Sequence, residues 1–282
     1  MKLSSYISNL KLLHRNRQWL TASTKPVDKL LYYVYIPLSF ISAVFGVKRV
    51  KYLGEYFTYD NPATPLNLQI YPYEIDRKIL SNMHDLPESI LDIGGNIGQF
   101  STTLSYFAKP RVLDIFEPNP NVINMLQANI SHLGSNAQVY NFALSPSHAQ
   151  AGKMFYQPGR SAVGSILEDN AGDKEGVEQV AIKLCHDPSA LTKRKSYDLI
   201  KVDVEGFEIE VIKSLKGINT RYLFIEISSR CRKRNYNEAL LFEQIRKTLG
   251  DYELAYSTGF DGSDVAYEIL LHFNDKKRGN NR

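Results

Sequence analysis

Two groups of side chains in this chain have types and spacings that suit chemistry. The first is a glycine turn with an acid after it: Asp92, then Gly94, Gly95, Asn96 and Gly98, then Glu117. Glycines let the backbone approach a ligand closely, and the free N–H groups of a following helix face outward. Glu117 stands 23 positions beyond Gly94, a spacing that suits a carboxylate accepting hydrogen bonds from both hydroxyls of a ribose. The second group is acidic: Asp203, Glu205 and Glu208 lie close together, and Glu226 follows. Asp203 and Glu205 fall at a strand end, where alternation puts them on the same side while the strand lasts. Paired carboxylates raise each other's pKa, which suits one of them to act as a base. Asp203 and Glu226, on adjacent strands, could alternatively hold Mg²⁺. Glu208 reads as a helix N-terminal residue pairing with the helix dipole.

The elements that must position these residues are legible from the apolar runs. Residues 90–120 read ILDIGGNIGQFSTTLSYFAKPRVLDIFEPNP, which is strand, glycine turn, helix and strand, one βαβ unit. Strands are expected at Ser89–Ile93, Arg111–Phe116, Val139–Leu144, Tyr197–Val204 and Arg221–Ile227, with helices at Ile97–Ala108, Asn121–Leu133 and Phe207–Leu215. That alternation implies a mainly parallel sheet covered by helices. Residues 146–196 form a less regular insert, with strands at Lys153–Tyr156 and Gln179–Leu184 and a small-residue loop, Arg160 to Ser165. Tyr236–Leu249 reads as a helix, and Tyr252–Ser257 with Ala266–Phe273 as an antiparallel hairpin. In open sheets of this kind ligands sit beyond the carboxyl ends of the strands, where both chemical groups fall.

The turn lacks the second and third glycines of the dinucleotide fingerprint, which sets aside a nicotinamide oxidoreductase. The pattern Asp92-x-Gly94-Gly95-Asn96-x-Gly98 resembles motif I of class I S-adenosylmethionine-dependent methyltransferases. With Phe116-Glu117-Pro118-Asn119-Pro120, and with Lys201, Asp203, Glu205, Gly206 and Glu208 in a K-x-D-x-E-G-x-E run, the chain resembles the FkbM family over roughly residues 88–228. The family's T-L-D-D pattern survives only in part, as Lys183-Leu184-Cys185-His186-Asp187.

The resemblance implies a Rossmann-like α/β fold with a seven-stranded, mainly parallel sheet and a C-terminal antiparallel hairpin. It implies S-adenosylmethionine as cofactor. Asp92, Gly94, Gly95, Asn96, Gly98, Glu117, Pro118, Asn141 and Ala143 would surround it, the last two near the adenine. It also implies O-methylation of a hydroxyl on a sugar, glycolipid or related small molecule, with Asp203 and Glu205 catalytic. A degenerate fold acting as a scaffold, or a peptide or RNA acceptor, are the alternatives. His186 is a further candidate base.

Charge divides the chain. Residues 1–51 hold nine Lys or Arg and one acid, Asp28, a net of +8, which leaves −4 for the rest against a total of +4. An acidic body disfavours a nucleic-acid partner. Two cysteines, Cys185 and Cys231, give neither a disulfide framework nor a zinc spacing, and they fit a reducing, cytoplasmic compartment. Leu30–Val47 carries no charge over 18 residues between basic flanks. It reads as a buried helix, an interfacial anchor or a span. A membrane surface is therefore an expected partner for residues 1–51. The expected organisation is a basic region with an irregular aromatic connector (1–72), a catalytic domain (73–273, entered by a helix over Glu74–Met83) and a disordered tail (274–282).

Overall fold

Four short runs of this chain, SILDI, VLDIF, SYDLIKV and the longer NTRYLFIEI, are apolar at alternate and at intervening positions. Such runs suit strands buried on both faces, and all four are central strands of one sheet. The structure, a computed structural model, describes residues 46, 48–61, 64–158, 164–166, 176–227, 238–259 and 266–274. It divides into two compact units, Met1–Glu74 and Ile75–Arg282.

In the first unit, β1 (Arg49–Tyr52) and β2 (Glu55–Thr58) form an antiparallel hairpin. Its two-residue turn, Leu53-Gly54, has both φ angles positive, at 50° and 92°, which matches the right-handed twist of the strands. The buried Tyr52 and Phe57 rings meet edge to face at 5.7 Å. Helix α1 (Thr64–Lys78) then carries Pro72 in its interior. The expected irregular connector is thus a hairpin and a helix, and the helix starts ten residues before the expected Glu74. Tyr-Pro at 71–72 reads as a breaker, but the helix runs through it. Leu30–Val47, except Gly46, lies outside the described residues, as does the tail beyond Asn274. Among the described residues no helix is long and apolar enough to cross a membrane.

The second unit is built on a seven-stranded sheet. Its strands are β3 (Ser89–Ile93), β4 (Val112–Phe116), β5 (Ala137–Tyr140), β9 (Ser196–Val202), β10 (Asn219–Ile227), β11 (Tyr252–Ser257) and β12 (Tyr267–Phe273). The spatial order is β11-β12-β10-β9-β3-β4-β5. The pairs β10·β9, β9·β3, β3·β4 and β4·β5 are parallel. β12 runs antiparallel to both its neighbours, β10 and β11. The sheet therefore has the expected seven strands and the expected terminal hairpin, with the hairpin's second strand inserted inside its first.

Helices α2 (Gln99–Ala108), α3 (Ile123–Ile130), α5 (Glu208–Ser214) and α6 (Glu238–Leu249) accompany the sheet. Leu91, Ile93, Leu223 and Ile225 pack on one face with Ile209 and Ile212 of α5 and Leu241 and Ile245 of α6. Intervening strand positions point to the other face, where Phe224 stacks on Phe100 of α2 at 6.3 Å. That second face also carries Lys201, whose ammonium lies 5.5 Å from the Phe100 ring.

A second, three-stranded sheet rises from the end of β5. It contains β6 (Ala143–Leu144), β7 (Ala151–Tyr156) and β8 (Glu178–Cys185) in the order β6-β8-β7. The single strand expected over Val139–Leu144 is broken at Asn141-Phe142, because Ala143 and Leu144 pair with Leu184 and Cys185 instead. Short helix α4 (Pro188–Thr192) was not expected. Its signal was Asp187-Pro188: Asp187 caps the helix by accepting from the Ser189 N–H at 2.9 Å, and proline suits a first helical turn.

Candidate active site

The glycine turn is shaped first by packing. Gly94 and Gly95 both donate their N–H groups to the Phe116 carbonyl, at 2.9 and 3.1 Å. A Cβ on Gly94 would lie 1.8 Å from the Asp203 carbonyl oxygen, and one on Gly95 would lie 2.3 Å from Ile115 Cγ2. The turn thus sits against the ends of β9 and β4 with no room for a side chain. Packing is a further reason for glycine at Gly95, where a Cβ would meet Ile115, and at Gly98, where it would meet Leu126 of α3.

Beneath the turn lies a buried ion pair. Asp92 is fully buried and Lys201 is 4% exposed. The Lys201 ammonium lies 3.2 Å from Asp92 Oδ1 and 3.4 Å from Asp203 Oδ2, and it donates to the Gly94 carbonyl at 2.7 Å. Burial alone would lower the lysine pKa, but the charges of Asp92 and Asp203 raise it above its ordinary value. Asp92 Oδ2 accepts from the Ser101 hydroxyl at 2.6 Å. Asp92 therefore supports the turn from below and does not line the cleft. Ser101 was missed by sequence reasoning, since a serine in a helical stretch carries no distinguishing signal.

Glu117 closes the turn from the β4 side. Its Oε2 accepts from the Asn96 N–H at 2.7 Å and its Oε1 from the Asn119 N–H at 2.8 Å. Burial pushes its pKa up to about 7, against the lowering effect of those two N–H groups and of Lys201. Each oxygen of an ionised carboxylate has capacity for a further bond. Asn141 donates its side-chain amide to the Glu117 and Pro118 carbonyls, at 2.8 and 3.0 Å. It pins the chain after β4 and is not among the cleft-lining residues.

Above these residues opens a cleft of roughly 680 Å³, counting the part open to solvent. Gly94, Asn96, Glu117 and Pro118 line one side. Phe142, Ala143, Leu144, Met154 and Ile166 form an apolar wall from the second sheet and its loop. Val204, Phe207 and Val211 extend it, and Asp203 and Glu205 add the charge. Met154 and Ile166 of this wall were missed from the sequence, because they come from an insert with no motif. Asn96 Oδ1 is buried without a hydrogen-bond partner in this cleft wall. A buried acceptor left open in a cleft of this size fits a polar ligand.

The acidic corner departs from its expected geometry. β9 ends at Val202, so strand alternation does not set the relation of Asp203 to Glu205. A turn does: Glu205 has φ 51° and Gly206 φ 104°. Both residues still line the cleft. Glu208 is 1% exposed and accepts from the Gly206 N–H at 2.8 Å, so it caps the turn before α5. Carboxylate oxygens of Asp203, Glu205 and Glu226 lie within 4.8 Å of one another. The Glu226 pKa is raised well above its ordinary value by the charge of Asp203, then by burial, then by Glu268 and Glu205. Three such oxygens have the spacing of a divalent-cation site, and equally of carboxylates sharing a proton. His186 is exposed beside His148, with ring centroids 4.6 Å apart, and does not line the cleft.

The Methyltransferase FkbM domain profile matches residues 92–257, more than half of the chain. The chain belongs to the FkbM methyltransferase family. It is an S-adenosylmethionine-dependent methyltransferase with the class I fold. Among proteins similar to this FkbM methyltransferase is one named Methyltransferase 1, from Beauveria bassiana (strain ARSEF 2860). It is 27% identical over 190 residues, covering 60% of this chain and 76% of that one. Two solved structures are similar at low identity. Precorrin-6y C5,15-methyltransferase from Geobacter metallireducens GS-15 is 12% identical, with TM-score 0.40, over 69% of this chain and 86% of that one. TYW2 of M. jannaschii, in complex with AdoMet, is 14% identical, with TM-score 0.39, over 79% of this chain and 84% of that one.

Proposed function

We propose that this FkbM methyltransferase O-methylates a hydroxyl of a sugar, glycolipid or related small molecule. The observation that carries the reading is the presence of Asp203 and Glu205 in the same cleft as Glu117 and the glycine turn. S-adenosylmethionine, when bound, supplies an electrophilic methyl group on a sulfonium that leaves as a neutral thioether. A neutral hydroxyl is a weak nucleophile, so the protein's task is to align it and accept its proton.

Glu117, when ionised, accepts from the ribose hydroxyls, and Asn96 Oδ1 offers a second acceptor. The apolar wall of Phe142, Ala143 and Leu144 would hold the adenine. Asp203 and Glu205 would hold the acceptor hydroxyl and take up its proton. Glu226 stands behind them. If the three carboxylates bind Mg²⁺ instead, the cation orients the hydroxyl and lowers its pKa.

The membrane-proximal part of the reading rests on the apolar stretch Leu30–Val47 and its basic flanks. Unchanged membrane partition after deletion of residues 1–51 would remove it.

The test is calorimetric titration of S-adenosylmethionine into wild type and Glu117→Ala, followed by methyl transfer from labelled cofactor to a panel of sugars and glycolipids with and without Mg²⁺. Binding that weakens at least about tenfold in the variant, roughly 1.4 kcal/mol, supports the ribose contact. Labelled product that requires Asp203 and Glu205 supports O-methylation. Transfer to peptide or RNA alone would replace the acceptor class, and cofactor binding without any transfer would favour the scaffold.

A further inference from the structure

The wall opposite the glycine turn is tied to the acidic corner through one side chain. Ser165 is 3% exposed. Its backbone exchanges two hydrogen bonds with Phe155 of β7, each 2.8 Å. Its neighbours Gly164 and Ile166 line the cleft, and Ile166 packs on the small core of Ala143, Met154 and Ile182. The Ser165 hydroxyl then donates to the Glu205 carbonyl at 3.0 Å. Glu205 is the residue whose backbone adopts φ 51°, a left-handed conformation that side chains with a Cβ disfavour. Such a conformation persists only where surrounding contacts over-determine it. A hydrogen bond to the carbonyl of that residue restrains the peptide plane that follows it.

We propose that Ser165 is a positioning residue: its hydroxyl holds the Glu205 peptide in the left-handed turn that places the Glu205 carboxylate in the cleft. The inference rests on the reading of Glu205 as part of the proton-accepting pair. It adds that the second sheet is a structural partner of that pair as well as a wall. Ser165 belongs to the insert and Glu205 to the β9–α5 turn, 40 residues apart in sequence, so the bond joins two parts of the cleft rim.

The test uses the full chain and amide hydrogen exchange read by mass spectrometry, in Ser165→Ala and Ser165→Thr, each in wild-type and Glu205→Gly backgrounds. Ser165→Ala is expected to raise exchange of the amides at 204–207 five- to tenfold. The amides of β4 should be unchanged and S-adenosylmethionine affinity should stay within twofold. Ser165→Thr, which keeps the hydroxyl, restores protection. In the Glu205→Gly background, where the left-handed φ carries no side-chain penalty, the alanine effect shrinks below twofold. Unchanged exchange at 204–207 in Ser165→Ala, a rise spread equally over the sheet, no rescue by threonine, or an undiminished effect beside Gly at 205 would each overturn the proposal. Failure of wild type to bind S-adenosylmethionine would sink the functional reading and leave the exchange result standing, so the two failures are distinguishable.

Discussion

The glycine turn and the acidic corner lie on the same cleft, yet they are held by different forces. The turn is fixed by exclusion: Gly94 has the Asp203 carbonyl and Gly95 has Ile115 where side chains would be. Its buried acid, Asp92, has a lysine and a serine to answer it. The corner is fixed by restraint: Glu205 holds a disfavoured backbone angle, and Asp203, Glu205 and Glu226 crowd like charges together. One half of the cleft is a rigid seat, and the other stores electrostatic and conformational energy.

The comparison can be broken at four points. Gly94→Ala has the largest expected effect. The new Cβ has no position that avoids the Asp203 carbonyl, so a loss of more than about 3 kcal/mol is expected in urea unfolding. A folded variant of near-native stability would show that the turn is not held by exclusion. Lys201→Met comes next, at about 3–5 kcal/mol, because it leaves Asp92 buried without its counter-charge. Adding Asp92→Asn should recover part of that loss. Equal stability of single and double variants would show the two residues are not coupled.

Glu117 sharpens the comparison through pH. Its folded-state pKa of about 7 lies above the ordinary 4.5. The folded state therefore holds a proton that the unfolded chain has released. This group's contribution to stability is fully present below pH 4.5 and is lost as pH rises through about 7. The change is at most about 3 kcal/mol. Urea unfolding of the ligand-free protein at pH 5 and 8, compared with Glu117→Gln, isolates it: the slope should be absent from the variant. Cofactor affinity should run the opposite way and tighten as pH rises through about 7, because the ionised carboxylate is the better acceptor. Glu205→Gly has the smallest expected effect on stability, a gain of about 1 kcal/mol in thermal unfolding as the left-handed penalty disappears. The same change should cost methyl transfer about 10²- to 10⁴-fold. A destabilised Gly variant would show that the corner holds no backbone strain.

These two regions also differ in how far the sequence revealed them. Ser89–Ile93 was legible to the residue, and β4 and α2 to within two, because apolar runs bounded by glycine and proline carry the period of the element directly. The same rule misled at Val139–Leu144. There a run interrupted only by Asn141 reads as one strand while its two halves pair in different sheets, and partner choice leaves no mark on period. The hairpin of β1 and β2 went unread because Leu53 occupies a left-handed position more often taken by Asn, Asp or Gly. At the site, Glu117 could be placed from spacing. The support given by Ser101 to Asp92 and the turn that carries Glu205 could not, since both depend on packing between distant segments.

The place of β12 in the sheet has a consequence for the order of assembly during synthesis. It follows β3, β4, β5, β9, β10 and β11 in the chain, yet it lies between β10 and β11. Until it emerges from the ribosome, β10 is an open edge and β11 has no strand beside it. Glu268 of β12 is the register partner of Glu226, so β12 also delivers the last charge to the acidic corner. The nascent chain thus completes the glycine turn that follows β3 well before it can complete the acidic corner, which closes only when the last strand has slid into the gap.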